Sequence, residues 1–119
     1  MKRVLIADDN ADIRESLKRV LERAGYAVEL ARDGDEALSR QKANPANVLI
    51  TDLFMPERDG FETLAAFREA YPQTRIVAIS GESAMTRHDY LESARLMGVD
   101  ATFRKPFDPQ QLVETLRRF

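Results

Sequence analysis

Short apolar runs alternate with longer stretches whose apolar residues recur every three to four positions, and the alternation repeats five times along the chain. The runs at 4–7, 27–31, 48–51 and 76–79, with a weaker one at 101–103, predict strands. Three of them are apolar throughout, the pattern of parallel strands covered on both faces. In the first intervening stretch Ile13, Leu17, Val20, Leu21 and Ala24 form one helical stripe that Gly25 ends. A second helix opens at Asp33 with Glu36 three residues on, and a third at Asp59 with Glu62 three on, both close to a capping box. The last helix has Asp108 as cap, Pro109 at its first position and Gln111 to complete the box, with Leu112, Val113 and Leu116 as its apolar face. The fourth, at about 83–97, carries the weakest stripe, Tyr90, Leu91, Ala94 and Met97. Short connections and right-handed crossovers turn this string into an α/β fold with an open, doubly wound parallel sheet. Ligands are then expected outside the carboxyl ends of its strands.

A chain of 119 residues fits one domain, 1–119, and excludes most multi-domain enzymes. Hydrophobic residues at 44% and charged residues at 32% are the balance of a folded globular protein. A formal net charge of -2 gives no strong field toward nucleic acid or anionic lipid, so neither is expected as a direct partner. With no cysteine, thiolate metal sites and disulfides are excluded, and the single histidine, His88, reads as a surface side chain on the polar side of a helix. The first apolar run is far shorter than a signal peptide's core, so a cytoplasmic location is expected.

Chemistry gathers where the strands end. Asp8 and Asp9 follow the first strand, Asp52 the third, Ser80 the fourth, and Lys105 comes shortly after the fifth. Each has an ordinary reading when taken alone: Asp8-Asp9-Asn10 as a helix cap, Ser80-Gly81 as a turn, Lys105 as a solvated side chain. A common edge changes their meaning. If the first and third strands lie side by side at the switch point, three carboxylates share one crevice. Two carboxylates about 4 Å apart repel by roughly 4 kcal/mol at an effective dielectric of 20, enough to force protonation or recruit a cation. With hard oxygen ligands only, that cation is Mg²⁺, and Lys105 supplies a fixed positive charge.

Five segments then stand in order on the expected elements: Val4-Leu5-Ile6-Ala7-Asp8-Asp9-Asn10, Leu49-Ile50-Thr51-Asp52-Leu53-Phe54-Met55-Pro56, Asp59-Gly60, Ile79-Ser80-Gly81 and Arg104-Lys105-Pro106-Phe107. Over its whole length the chain resembles the receiver (CheY-like) domains of two-component response regulators. The resemblance implies a flavodoxin-like five-stranded sheet, order 2-1-3-4-5. It implies Asp52 as phosphoacceptor, taking its phosphoryl group from a phosphohistidine on a sensor histidine kinase or a histidine phosphotransfer protein. It further implies Mg²⁺ held by Asp8, Asp9, Asp52 and the backbone carbonyl of Phe54, with Asp8 acting directly or through water. Lys105 and Ser80 would contact the phosphoryl group, and the Lys105–Pro106 peptide would be cis. Ser80 and Phe103 would form the switch that reshapes the face of the fourth helix, fifth strand and fifth helix for a downstream protein target. Phe54 and Glu82, each two residues beyond a pocket residue, would tune the lifetime of the phosphate.

The segment from Ser80 to Lys105 is a few residues longer than in the commonest receivers, a feature of a subset in which stand-alone proteins are common. The last strand, Asp100-Ala101-Thr102-Phe103, lacks the paired acids and following tyrosine typical of winged-helix transcription factors, so a monomer or weak dimer is expected. Arg58 stands where the family often has an apolar residue. The chemistry expected is self-phosphorylation and autodephosphorylation rather than turnover of a separate substrate. The alternatives are a Mg²⁺-dependent aspartyl-phosphate phosphohydrolase, whose usual second Asp is replaced by Phe54, and a receiver-like binding module that is not phosphorylated. Neither a P-loop nor a Gly-rich dinucleotide turn is present.

Overall fold

A computed structural model describes residues 2–53, 60–81 and 90–119. Phe54, Arg58, Asp59, Glu82 and His88, all singled out in the sequence, lie outside the described residues. Among the described residues five strands alternate with five helices: β1 (Arg3–Ala7), α1 (Ala11–Arg23), β2 (Ala27–Ala31), α2 (Gly34–Ala43), β3 (Val48–Asp52), α3 (Gly60–Ala70), β4 (Arg75–Gly81), α4 (Tyr90–Leu96), β5 (Ala101–Lys105) and α5 (Pro109–Arg117). The strands pair in parallel in the order β2-β1-β3-β4-β5, the expected flavodoxin-like arrangement. No helix among the described residues is long and apolar enough to cross a membrane.

The runs of unbroken apolar residues follow from a sheet covered twice. Successive side chains of a strand point to opposite faces. Leu5, Ala7, Leu49, Ile76 and Ala78 therefore join Ala37, Leu64, Phe67, Leu91 and Ala94 of α2, α3 and α4 on one side. Val4, Ile6, Val48, Ile50, Val77 and Ile79 meet Leu17 and Leu21 of α1 and Leu112, Val113 and Leu116 of α5 on the other. Met97 packs half-buried at the margin of the first cluster.

Polar signals set the helix ends. Asn10 Oδ1 accepts from the N–H groups of Asp12 at 2.9 Å and Ile13 at 3.1 Å, and Gly25, at φ +99°, closes the far end of α1. Asp33 caps α2 through Glu36 N–H at 2.8 Å, but the Glu36 carboxylate reaches back to Arg32 N–H rather than to the cap residue. At α5 the Asp108 carboxylate takes the N–H of Gln110, not Gln111, so the residue caps the helix without forming the expected box. Three strands run past their apolar cores: Asp52, Ser80, Gly81, Arg104 and Lys105 all sit in paired positions, which hydropathy cannot signal.

The amino edge of the sheet is cross-tied. Buried Gln41 donates to the Ala46 carbonyl and the Thr74 hydroxyl and accepts from Ala46 N–H at 2.9 Å. Asp100 accepts from Ile76 N–H at 2.8 Å and from Arg75 at 3.2 Å, and Arg68 bonds both Asp100 and the Gly98 carbonyl. Asn47 joins β1 to β4 by accepting from Arg3 N–H through its side chain and from Arg75 N–H through its carbonyl.

Candidate functional site

At the opposite, carboxyl edge, β1 and β3 are neighbours, so the residue after β1 and the last residue of β3 come together. Carboxylate oxygens of Asp8, Asp9 and Asp52 all lie within 4.8 Å of one another. Asp8 and Asp52 are buried and Asp9 is exposed. Lys105, the last residue of β5, reaches across the edge and donates from Nζ to Asp52 Oδ2 at 2.8 Å and to Asp8 Oδ2 at 2.9 Å.

Burial by itself would lower the Lys105 pKa, but the hydrogen bonds to Asp52 and Asp8 and the charges of both carboxylates outweigh it, and the net shift is upward. The ammonium is thus a permanent charge across the neutral range. Three acids against one base leave the pocket formally two charges negative. The other acidic and basic residues of the chain are equal in number, so the pocket holds the whole excess. The donor set is all oxygen, hard and anionic, which fits Mg²⁺ rather than a softer ion.

Asp8 is held at every polar atom. Its N–H donates to the Ala31 carbonyl, its Oδ1 accepts from Asn10 N–H at 2.9 Å, its Oδ2 accepts from Lys105, and its carbonyl accepts from Arg14 Nη1 at 2.6 Å. Asp52 is fixed from its backbone, since the Thr51 hydroxyl donates to its carbonyl at 3.0 Å. Gly60, the first residue of α3, sits so close to this strand end that a Cβ there would fall 2.5 Å from the Asp52 carbonyl oxygen and 2.3 Å from Leu53 Cα. Ser80 is buried near the end of β4, its hydroxyl 3.2 Å from the Gly81 carbonyl. Phe103 is half-buried on β5 with its ring centroid 5.2 Å from that of Phe107, and the Lys105–Pro106 peptide is cis. A cavity of about 350 Å³ opens beside Lys105, between Ile13, Ser16 and Leu17 of α1 and Phe107.

The arrangement matches a family model, the response regulator receiver domain, over residues 4–117. This chain belongs to that family. As a receiver domain it is 35% identical over 118 residues to the response regulator receiver protein CpdR of Brucella abortus, covering 99% of this chain and 96% of that protein. It is 34% identical to the response regulator MprA of Mycobacterium avium, of which the match spans 49%. Among solved structures, the chemotaxis protein CheY4 of Vibrio cholerae superposes with a TM-score of 0.87 at 35% identity, covering 99% of this chain and 98% of that one. A receiver domain protein from Clostridium thermocellum gives a TM-score of 0.89 at 26% identity, over 99% and 93% of the two chains.

Asp8, Asp9, Asp52 and Lys105 are thus the acidic pocket of a receiver domain. Arg14 and Gly60 also shape it. Gly60 left a trace in the sequence, as the glycine of Asp59-Gly60 at a helix start, whereas Arg14 is one of several basic residues on a surface helix and carried no signal.

Proposed function

We propose that this receiver domain accepts a phosphoryl group on Asp52 from a phosphohistidine of a sensor histidine kinase or histidine phosphotransfer protein. The observation that carries the reading is the Lys105 ammonium bonded at once to Asp52 and Asp8, beside the exposed carboxylate of Asp9. An Asp52 carboxylate oxygen attacks phosphorus, the O–P bond forms as the N–P bond breaks, and the imidazole departs with its electron pair. Catalysis of such a transfer is mostly positioning and neutralisation of charge. Lys105 supplies a fixed positive charge within hydrogen-bond reach of the nucleophile, and Ser80 contributes a hydroxyl to a phosphoryl oxygen. Asp8, Asp9 and Asp52, with the carbonyl of Phe54, would hold Mg²⁺, which when bound neutralises the incoming phosphoryl oxygens. Asp8, with Oδ1 on Asn10 and Oδ2 on Lys105, suits an indirect role through water. The cavity beside Lys105 leaves room for the partner's side chains.

Phosphorylation changes the charge that Lys105 and Ser80 face, and the output is a shift of population at Ser80 and Phe103 that reshapes the α4–β5–α5 face for a protein target. Phe54 and Glu82 set the lifetime of the acyl phosphate. The domain acts in the cytoplasm and turns over no substrate other than its own aspartate.

Incubation with Mg²⁺ and a small phosphodonor, read by intact mass, tests the assignment. One phosphoryl group is expected on the wild type and none on Asp52→Asn or after chelation of the metal. Undiminished labelling of Asp52→Asn would refute Asp52 as the acceptor.

A further inference from the structure

We propose that Arg14 is a positioning residue for the cation site, acting through the backbone of Asp8. The proposal rests on the reading of the acid triad as a Mg²⁺ site. Arg14 is the fourth residue of α1, and its guanidinium turns back past the helix start to donate to the Asp8 carbonyl at 2.6 Å, a short, charge-assisted hydrogen bond. That carbonyl lies where the sheet has stopped helping. The β1–β3 ladder ends at Ala7 opposite Thr51, and beyond it the Asp8 backbone is held through its N–H to Ala31 and its carbonyl to Arg14.

The Asp8 carbonyl belongs to the same rigid plane as the N–H of Asp9. Fixing its direction therefore fixes where Asp9 leaves the chain. Asp9 makes no hydrogen bond or ion pair of its own among the described residues, so this peptide plane, which sets the position of its Cα, is the fixed point from which its carboxylate reaches Asp8 and Asp52. One guanidinium thus orients a buried ligand and an exposed one together, as partners outside the ligand set commonly do in metal sites.

The opposing effect is repulsion between the Arg14 charge and a bound cation. Arg14 is half-exposed and separated from the carboxylates by a peptide unit, so solvent screens it. Over about 7 Å in water the repulsion between a unit charge and Mg²⁺ is about 1.2 kcal/mol, a factor of about seven in affinity, and physiological salt screens it to about two- to threefold. Loss of an orienting partner typically costs tenfold or more. Positioning wins.

Titrating MgCl₂ into the unphosphorylated domain, with amide chemical shifts as the readout, separates the possibilities. Arg14→Met keeps the aliphatic stem and is expected to raise the Mg²⁺ dissociation constant about tenfold. Arg14→Lys, whose ammonium can still donate to the carbonyl, is expected to recover part of the loss. A purely structural role would lower the thermal midpoint of Arg14→Met and leave its Mg²⁺ affinity unchanged. Equal or tighter binding by Arg14→Met overturns the proposal while the Mg²⁺ reading stands. Absence of saturable shifts in the wild type overturns that reading and the proposal with it. If Arg14→Met does not fold, Arg14→Gln carries the same comparison.

Discussion

Lys105 divides one positive charge between two carboxylates at 2.8 and 2.9 Å. Its proposed role as a phosphoryl contact and its present role as an internal counter-ion pull in different directions when the side chain is removed. Without it the pocket gains one net negative charge. Lys105→Met is therefore expected to bind Mg²⁺ about tenfold more tightly, since a unit charge a few ångströms away at an effective dielectric of 20 contributes about 1–3 kcal/mol after partial screening. The same variant is expected to take up phosphate from a small donor more slowly. A metal titration of the unphosphorylated variant checks the first outcome, and unchanged or weaker binding would contradict it. At this scale the sequence was informative about which residues and silent about how they are held. The acids and Lys105 stood out because three runs of residue types converge on strand ends. The Arg14 hydrogen bond did not, since it joins a backbone atom to one of many surface arginines. Phe54 and Glu82 stay expectations from resemblance, outside the described residues.

Elements place these residues by where they stop. β3 carries Asp52 as its last paired residue, opposite Ile79, and α3 begins eight residues later at Gly60, pressed against the same strand end. A methyl group at that position has nowhere to go, because the atoms it meets are backbone. Gly60→Ala is expected to destabilise the domain by about 1–3 kcal/mol through overpacking, lowering its thermal midpoint by roughly 3–10 °C. An unchanged midpoint would mean that α3 can withdraw from β3 without loss. The elements themselves were legible in the sequence: unbroken apolar runs gave the strands, and the stripe Leu17, Leu21 gave the buried face of α1. Their ends were less so. The expected boxes at Asp33 and Asp108 were not completed, because in each the backbone N–H one residue earlier, that of Arg32 or Gln110, takes the side-chain oxygen instead. The carboxyl extensions of β3, β4 and β5 were missed, because backbone pairing holds polar residues as readily as apolar ones.

Across the whole molecule the two edges of the sheet are built for different ends. Asp8, Asp9, Asp52, Ser80 and Lys105 occupy the carboxyl edge, and side-chain ties at Gln41, Asn47 and Asp100 occupy the amino edge. The charge arithmetic repeats the division, with the net excess confined to the pocket. Amide hydrogen exchange with and without phosphodonor is expected to change at Ser80, Phe103 and Lys105. It should stay unchanged at Ala46, Arg75, Ile76 and Asp100, and altered protection there would show that the response spreads through the whole sheet. The contrast was invisible in the sequence, where Gln41 and Asp100 look like any other polar residues near helix and strand ends. The Asp100 carboxylate, by taking the N–H of Ile76 and the guanidinium of Arg75 together, makes the start of β4 a fixed pivot. With that end tied and both neighbouring strands paired along β4, any shift that phosphorylation induces in the strand would be largest at its free carboxyl end, at Ser80 and Gly81.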